Sequence, residues 1–114
     1  MGQGIKTIVF PVKDLAGAKA LFQDLLGVEP YADQSNYVGF RVDGQEIGLD
    51  PKGHAKGMTG PVGYWHVEDV PAALQRLVDA GAQTQQRVKD LGGGRLSAIA
   101  RDVNGNVIGL IKAH

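Results

Sequence analysis

The chain is written twice, and that duplication limits its fold more than any other feature. Residues 8–15 (Ile-Val-Phe-Pro-Val-Lys-Asp-Leu) are matched by 63–70 (Gly-Tyr-Trp-His-Val-Glu-Asp-Val), which sets Val12 on Val67 and Asp14 on Asp69. Near the ends of the two halves, Gly44-Gln45-Glu46-Ile47-Gly48-Leu49 matches Gly105-Asn106-Val107-Ile108-Gly109-Leu110. The offset is 55 in the first block and 61 in the second, so the second half carries about six extra residues after its helix. The sequence places them in a flexible loop at Leu91-Gly92-Gly93-Gly94-Arg95, which lacks the Lys-Ser/Thr and following helix of a phosphate cradle.

Each half spells the same order of elements. Residues 5–12 are β-rich, and Asp14 then offers an N-cap oxygen to a helix whose apolar stripe is Leu15, Ala18, Phe22 and Leu25 and which stops at Gly27. In the second half the strand is 62–67, the cap is Asp69, Pro71 occupies the first turn, Leu74, Leu77 and Val78 form the stripe, and Gly81 ends it. Extended segments follow at 36–42 and 95–102, then turns at Asp43-Gly44 and Asn104-Gly105 and last strands at 45–50 and 106–112. The expectation is an α+β chain of two tandem βαβββ modules in one domain spanning 1–114: module one 5–50, an exposed connector 51–61, and module two 62–112. One helix covers only one face of its sheet, so two curved mixed sheets, helices outside, are expected to enclose a cavity.

Composition closes off several classes of function. Twelve basic and twelve acidic side chains cancel to a net charge of zero, which is no footprint for a nucleic acid or an anionic membrane. No apolar run reaches the eighteen or so residues of a membrane helix, and Met1-Gly2-Gln3-Gly4 does not read as a secretory signal, so the expected location is the cytoplasm. The chain has no cysteine, which removes disulfides, thiolate catalysis and cysteine zinc sites. Ser35 and Ser97 have no nucleophile-elbow motif around them. Asp102-Val103-Asn104-Gly105-Asn106 looks like a calcium loop, but the glutamate such a loop needs at its twelfth position is missing.

Taken together, Val12-Lys13-Asp14-Leu15, Leu25-Leu26-Gly27-Val28 and Gly94-Arg95 followed by Asp102-Val103-Asn104-Gly105-Asn106 resemble the vicinal oxygen chelate superfamily. That superfamily includes glyoxalase, bleomycin-resistance proteins, fosfomycin-resistance enzymes and extradiol dioxygenases. The resemblance implies a divalent metal held by His, Glu or Gln on the first and last strands of each module. Carried over residue by residue, those positions are Thr7, Val62, Gly48 and Gly109. None is a strong ligand, so neither a metal nor any other cofactor is expected, and the two matched glycines are expected to leave room on the cavity floor.

Strand alternation sorts the remaining candidates. Ile8, Phe10 and Val12 fall on the helix side of the first strand, leaving Thr7, Val9 and Pro11 opposite; Trp65 and Val67 take the helix side of the second half, leaving Val62, Tyr64 and His66 opposite. The expected ligand pocket comprises Thr7, Val9, Tyr37, Arg41, Glu46, Gly48, Asp50, Val62, Tyr64, His66, Gly109 and Ile111. His66 is the one candidate base, with Glu46 and Asp50 on the parity of Gly48. As a structural alternative, His66 bonds to a neighbouring strand and the carboxylates are solvated. His54 and His114 read as solvated residues without a chemical role.

Two functions from different classes follow from these residues. One is a metal-free module that binds a flat, apolar or aromatic small molecule, sequestering a drug or natural product as bleomycin-resistance proteins do. The other is a glyoxalase-like lyase or isomerase, or a dioxygenase-related enzyme, either metal-independent with His66 as base or with relocated ligands. A structural subunit with a vestigial cavity is a third reading. The resemblance also implies a homodimer.

Overall fold

A computed structural model describes residues 4–112. His114 and the first three residues, on which sequence expectations fell, lie outside the described residues. The eleven elements run β1 (Ile5–Pro11), α1 (Leu15–Leu26), β2 (Ala32–Gln34), β3 (Tyr37–Val42), β4 (Gln45–Asp50), the 3₁₀ turn His54–Lys56, β5 (Val62–His66), α2 (Val70–Asp79), β6 (Gln83–Gly92), β7 (Arg95–Arg101) and β8 (Val107–Lys112). The order βαβββ occurs twice, so the fold is mixed α+β with two tandem modules, as the duplication predicts. The chain divides into two compact units, residues 6–62 and residues 63–112 with Gly4 and Ile5.

In module one the strand order is β2-β3-β4-β1, with β1 parallel to β4 and the other pairs antiparallel. The Asp14 carboxylate accepts the Gly17 N–H at 3.0 Å and starts α1, and Gly27 at φ 70° stops it. Helix α1 packs on one face of the sheet, where buried Val38, Phe40 and Leu49 meet Phe10, Val12, Leu15, Ala18, Phe22 and Leu26. The Phe10 and Phe22 rings sit 5.1 Å apart at 47°. Leu25 was expected in this stripe but is 71% exposed, and Leu26 takes the place. Both fit a 3.6-residue period after Phe22, and the sheet selects the one beneath the helix.

Module two repeats the plan with order β5-β8-β7-β6, β5 parallel to β8 and the rest antiparallel. Asp69 caps α2 through the Ala72 N–H at 3.0 Å. Val70, Ala98 and Leu110 are buried against Val67, Ala73, Leu74 and Leu77. Val78, expected in the stripe, is exposed.

Three further expectations are corrected. The extra residues of module two do not form a free loop: they lengthen β6 to ten residues, against three in β2, and the glycines 92–94 close its hairpin with β7. The connector is not wholly exposed, because Gly53 and Met58 are buried and Asp50 organises the turn beside them. Asp43 and Gly44 both take positive φ, at 50° and 78°, as an Asp-Gly hairpin demands, but at Asn104-Gly105 only the glycine does. There the Asp102 carboxylate instead holds the turn through the N–H groups of Asn104 and Asn106 and the Asn106 amide.

Candidate functional site

The face of each sheet turned away from its helix carries the residues singled out by strand alternation. In module one, register sets Thr7 beside Glu46, Val9 beside Gly48 and Pro11 beside Asp50 on β1 and β4. On β3, Gly39 lies beside Gly48 and Arg41 beside Glu46. Thr7 and Val9 are buried.

These polar groups form a short chain. The Arg41 Nε donates to Glu46 at 3.0 Å, the Thr7 hydroxyl donates to the other Glu46 oxygen at 3.4 Å, and the Arg41 guanidinium stands 3.9 Å from the centre of the Tyr31 ring. The hydrogen bond from Arg41 to Glu46 holds the guanidinium further in its charged form, with desolvation opposing. Tyr31 was not foreseen, since it precedes β2 in a segment without periodicity. Its ring covers Gly39, where a Cβ would meet ring carbon Cε2 at 2.9 Å.

Asp50 has a different role from its neighbours. Its buried carboxylate accepts the Lys52 N–H at 2.9 Å and the Lys56 ammonium at 2.8 Å, and its carbonyl accepts the N–H groups of Val12 and Gly53. The carboxylate is thus committed to the connector, and the carbonyl ties the connector to the end of β1.

Module two places Tyr64 beside Gly109 and His66 beside Ile111. The His66 N–H donates to the Gly4 carbonyl at 2.9 Å. Buried Ser97 pairs in register with Ile111, and buried Ile99 with Gly109. Sequence reasoning weighed Ser97 only as a nucleophile and passed over Ile99, although their alternation along β7 places both on this face. Val62, at the start of β5, is buried.

The matched glycines do not leave room. A Cβ on Gly109 would meet Tyr64 Cδ1 at 2.6 Å, and one on Gly48 would meet the Tyr37 ring, with Cζ at 2.8 Å. In both modules a tyrosine fills the space a side chain would need.

On the helix side, module two has a groove of about 460 Å³ between β5, β8 and α2. Trp65, Val67, Leu77, Ile108 and Leu110 line it, with Arg76 among the charged residues bordering it. Trp65 has the expected parity but is not buried under the helix: it is 43% exposed. Module one has Phe22 and Leu26 where module two has Leu77 and Gly81, so the space that the Phe10–Phe22 pair closes there is open here.

With that geometry established, the chain's family is plain: it belongs to the Glyoxalase/Bleomycin resistance protein/Dioxygenase superfamily, whose family model matches residues 4–110. Its fold is similar to that of a Legionella pneumophila structure described as an NAD-dependent benzaldehyde dehydrogenase (TM-score 0.75, 16% identity, 93% of this chain and 96% of that one). It is similar as well to a methylmalonyl-CoA epimerase variant from Streptomyces coelicolor in complex with 2-nitronate-propionyl-CoA (0.73, 16%, all of both chains). A third is the Mn(II)-bound glyoxalase from Novosphingobium aromaticivorans (0.71, 17%, 98% of this chain and 40% of that one). At these identities the likeness shows the fold alone. No curated protein matches the chain.

The residues here do not fit the metal of the Mn(II)-bound relative. Thr7 offers a hydroxyl that is bonded to Glu46, Val62 offers no donor, and Tyr37 and Tyr64 cover Gly48 and Gly109. Among the described residues no three His, Asp or Glu side chains converge on one point.

Proposed function

We propose that this protein binds a small, flat, largely apolar molecule without a metal, through the helix-free faces of its modules, and does not transform it. The observation that carries this reading is the placing of Tyr37 over Gly48 and Tyr64 over Gly109. It replaces two ligand positions with aromatic surface, which favours stacking over chelation. The polar groups that would orient a ligand are Thr7, Arg41, Glu46 and His66, a few among apolar neighbours, as in small-molecule sites generally. Val9, Val62 and Ile111 supply apolar contact, and Asp50 contributes at the strand end while anchoring the connector.

Sequestration of a drug or natural product, as bleomycin-resistance proteins perform it, is the role this chemistry supports. The proposed form is a cytoplasmic homodimer of single-domain chains, each spanning 1–114. Among the described residues, no helix is long and apolar enough to cross a membrane. A second reading rests on His66, which shares the helix-free face with Tyr64: a metal-independent lyase or isomerase with His66 as its base, or an enzyme with relocated ligands.

Native mass spectrometry of protein from its own host, with elemental analysis after dialysis, tests the proposal. It expects a co-purifying small molecule and well under one equivalent of zinc, iron, manganese or nickel. Stoichiometric metal whose removal abolishes an activity overturns it, and turnover lost in His66→Ala without any metal establishes the second reading.

A further inference from the structure

The repeat supplies a control for the groove on the helix side of module two. In module one, Phe10, Phe22 and Ile47 all pack on the core, and the two rings sit 5.1 Å apart. The equivalent residues of module two are Trp65, Leu77 and Ile108. Only Leu77 of these packs on the core of its module, whereas all three line the groove. With leucine where module one has Phe22, the indole has no ring to meet: among the described residues Trp65 makes no aromatic contact, and it is 43% exposed. The groove holds about 460 Å³, within the range of small-molecule sites and well above the roughly 150 Å³ that accepts benzene.

Charge gives the groove a direction. The residues of α2 that line it, Asp69, Ala72, Ala73, Arg76 and Leu77, share one helical face. Asp69 and Arg76 are separated by about 10 Å of helix, so one end of the groove is acidic and the other basic. At the acidic end the Asp69 carboxylate is already taken by the Ala72 N–H, and Glu68 beside it adds a second negative charge. At the other end Arg76 is exposed, and its guanidinium makes no hydrogen bond or ion pair among the described residues. It directly precedes Leu77, the position that carries the Phe22 ring in module one.

We infer that this groove is a second ligand site, specific for an aromatic carboxylate whose ring takes the place of the Phe22 ring and whose carboxylate meets Arg76. Trp65 supplies an aromatic face, and Leu77, Ile108 and Leu110 supply apolar walls. The guanidinium is a planar fork that stays charged at any physiological pH and matches a carboxylate with two parallel hydrogen bonds. Glu68 and Asp69 repel the carboxylate from the far end and so fix the ligand's orientation. As a cation in the last turn of α2, Arg76 also suits its own helix, which explains the charge but not the open groove beside it. The site lies on the opposite side of the sheet from Tyr64, so the inference stands apart from the function proposed for the helix-free faces.

Hydrocinnamate is the probe, with hydrocinnamide and phenethylamine as its neutral and cationic counterparts. Trp65 is the chain's one tryptophan and reports occupancy. Titrating wild type with hydrocinnamate is expected to shift the emission to saturation and to protect it from acrylamide. The amide should bind about five- to tenfold more weakly. Arg76→Gln should weaken the carboxylate by the same factor and leave the amide unchanged. Leu77→Phe should abolish the response and blue-shift the emission without ligand, with circular dichroism unchanged, because the chain then provides the ring itself. Arg76→Gln is a surface change, so the test does not depend on how well Leu77→Phe folds. Phenethylamine that binds as tightly as hydrocinnamate, or equal hydrocinnamate affinity in Arg76→Gln, overturns the inference. Hydrocinnamate that binds by calorimetry while Trp65 stays silent also overturns it, and assigns the ligand to the helix-free face instead. An indole that becomes protected as the protein alone is concentrated overturns it too, since a second copy then covers the groove.

Discussion

Tyr64 lies across Gly109, its direct register partner on the parallel strand β8, so closely that a Cβ at 109 would meet ring carbon Cδ1 at 2.6 Å and the Gly63 carbonyl at 2.9 Å. Tyr37 does the same to Gly48, but from the antiparallel neighbour β3. Two strands of different sense thus deliver the same ring to the same repeated glycine. Gly109→Ala should accordingly cost about 1–3 kcal/mol through overpacking. Part of that cost is forced by the ring and part by the backbone. Pairing the substitution with Tyr64→Ala should recover the ring's share, giving a favourable coupling of roughly 1 kcal/mol in a double-mutant cycle of urea melts. Strict additivity would mean that ring and glycine are not in contact.

Leu25 and Leu26 are neighbours with opposite environments. Leu26 packs on the core of module one, so Leu26→Ala should destabilise by about 2–3 kcal/mol. Leu25→Ala, measured in dilute solution, should stay within about 0.5 kcal/mol of wild type because the side chain is exposed. A reversed order in denaturant melts would show that α1 is rotated by one residue on its sheet.

Asp102 provides the clearest dependence on pH. The Asn106 side-chain amide and then the Asn106 backbone N–H hold its carboxyl below the usual aspartate range against opposition from desolvation, with smaller help from the N–H groups of Asn104 and Gly105. A folded-state pKa lowered below the unfolded value means stability that is complete above the unfolded pKa, about 3.9, and lost as pH falls through the folded value. Asp102→Asn should therefore lower the melting midpoint at neutral pH and flatten its decline below about pH 4 relative to wild type. Parallel melting curves for the two proteins across the acid range would exclude this role.

Much of this architecture is legible in the sequence because it is local. Asp14, Asp69, Gly27 and Asp43-Gly44 act within a turn of themselves, and each does in the structure what its residue type requires. Strand alternation likewise sorts Thr7 and Val9 from Phe10 and Val12 without knowledge of their neighbours. What escapes is decided across the sheet. The covering of Gly48 depends on Tyr37 from the adjacent strand, and the covering of Gly39 on Tyr31 from a segment with no pattern. The added residues of module two mostly lengthen β6, which pairs with β7, although the glycines that close the hairpin favour a loop by composition. Asp50 reads as a strand-end charge, and only its long-range partner Lys56 shows what it organises.

That partnership is open to test. Asp50→Ala removes the acceptor for the Lys52 N–H and leaves Lys56 without its ion pair. Lys56 is half exposed, which reduces the worth of the pair itself, so the loss of about 1–2 kcal/mol should come chiefly from the buried hydrogen bond. The local consequence should be larger than the global one. Trypsin should cut after Lys52 and Lys56 faster in the variant than in wild type under native conditions, with little change elsewhere. Equal cleavage rates would show that Met58 and Gly53 hold the connector without Asp50.

Trp65 and Tyr64 are adjacent on β5 and face opposite sides of module two. Trp65 is the chain's one tryptophan, so its fluorescence reports the helix-side groove without interference. Because the indole is 43% exposed, its emission should be red-shifted from that of a buried indole, and acrylamide should quench it efficiently. Trp65→Ala should cost about 1–2 kcal/mol, well short of the ~3–5 kcal/mol lost with a fully buried tryptophan. Tyr64→Ala should leave the fold intact and weaken the binding of a planar ligand by about 1–3 kcal/mol, since it removes an aromatic face from the helix-free side. A one-residue slip in β5 would exchange these roles. A blue-shifted, unquenchable tryptophan, together with full binding by Tyr64→Ala, would show that the strand is turned over.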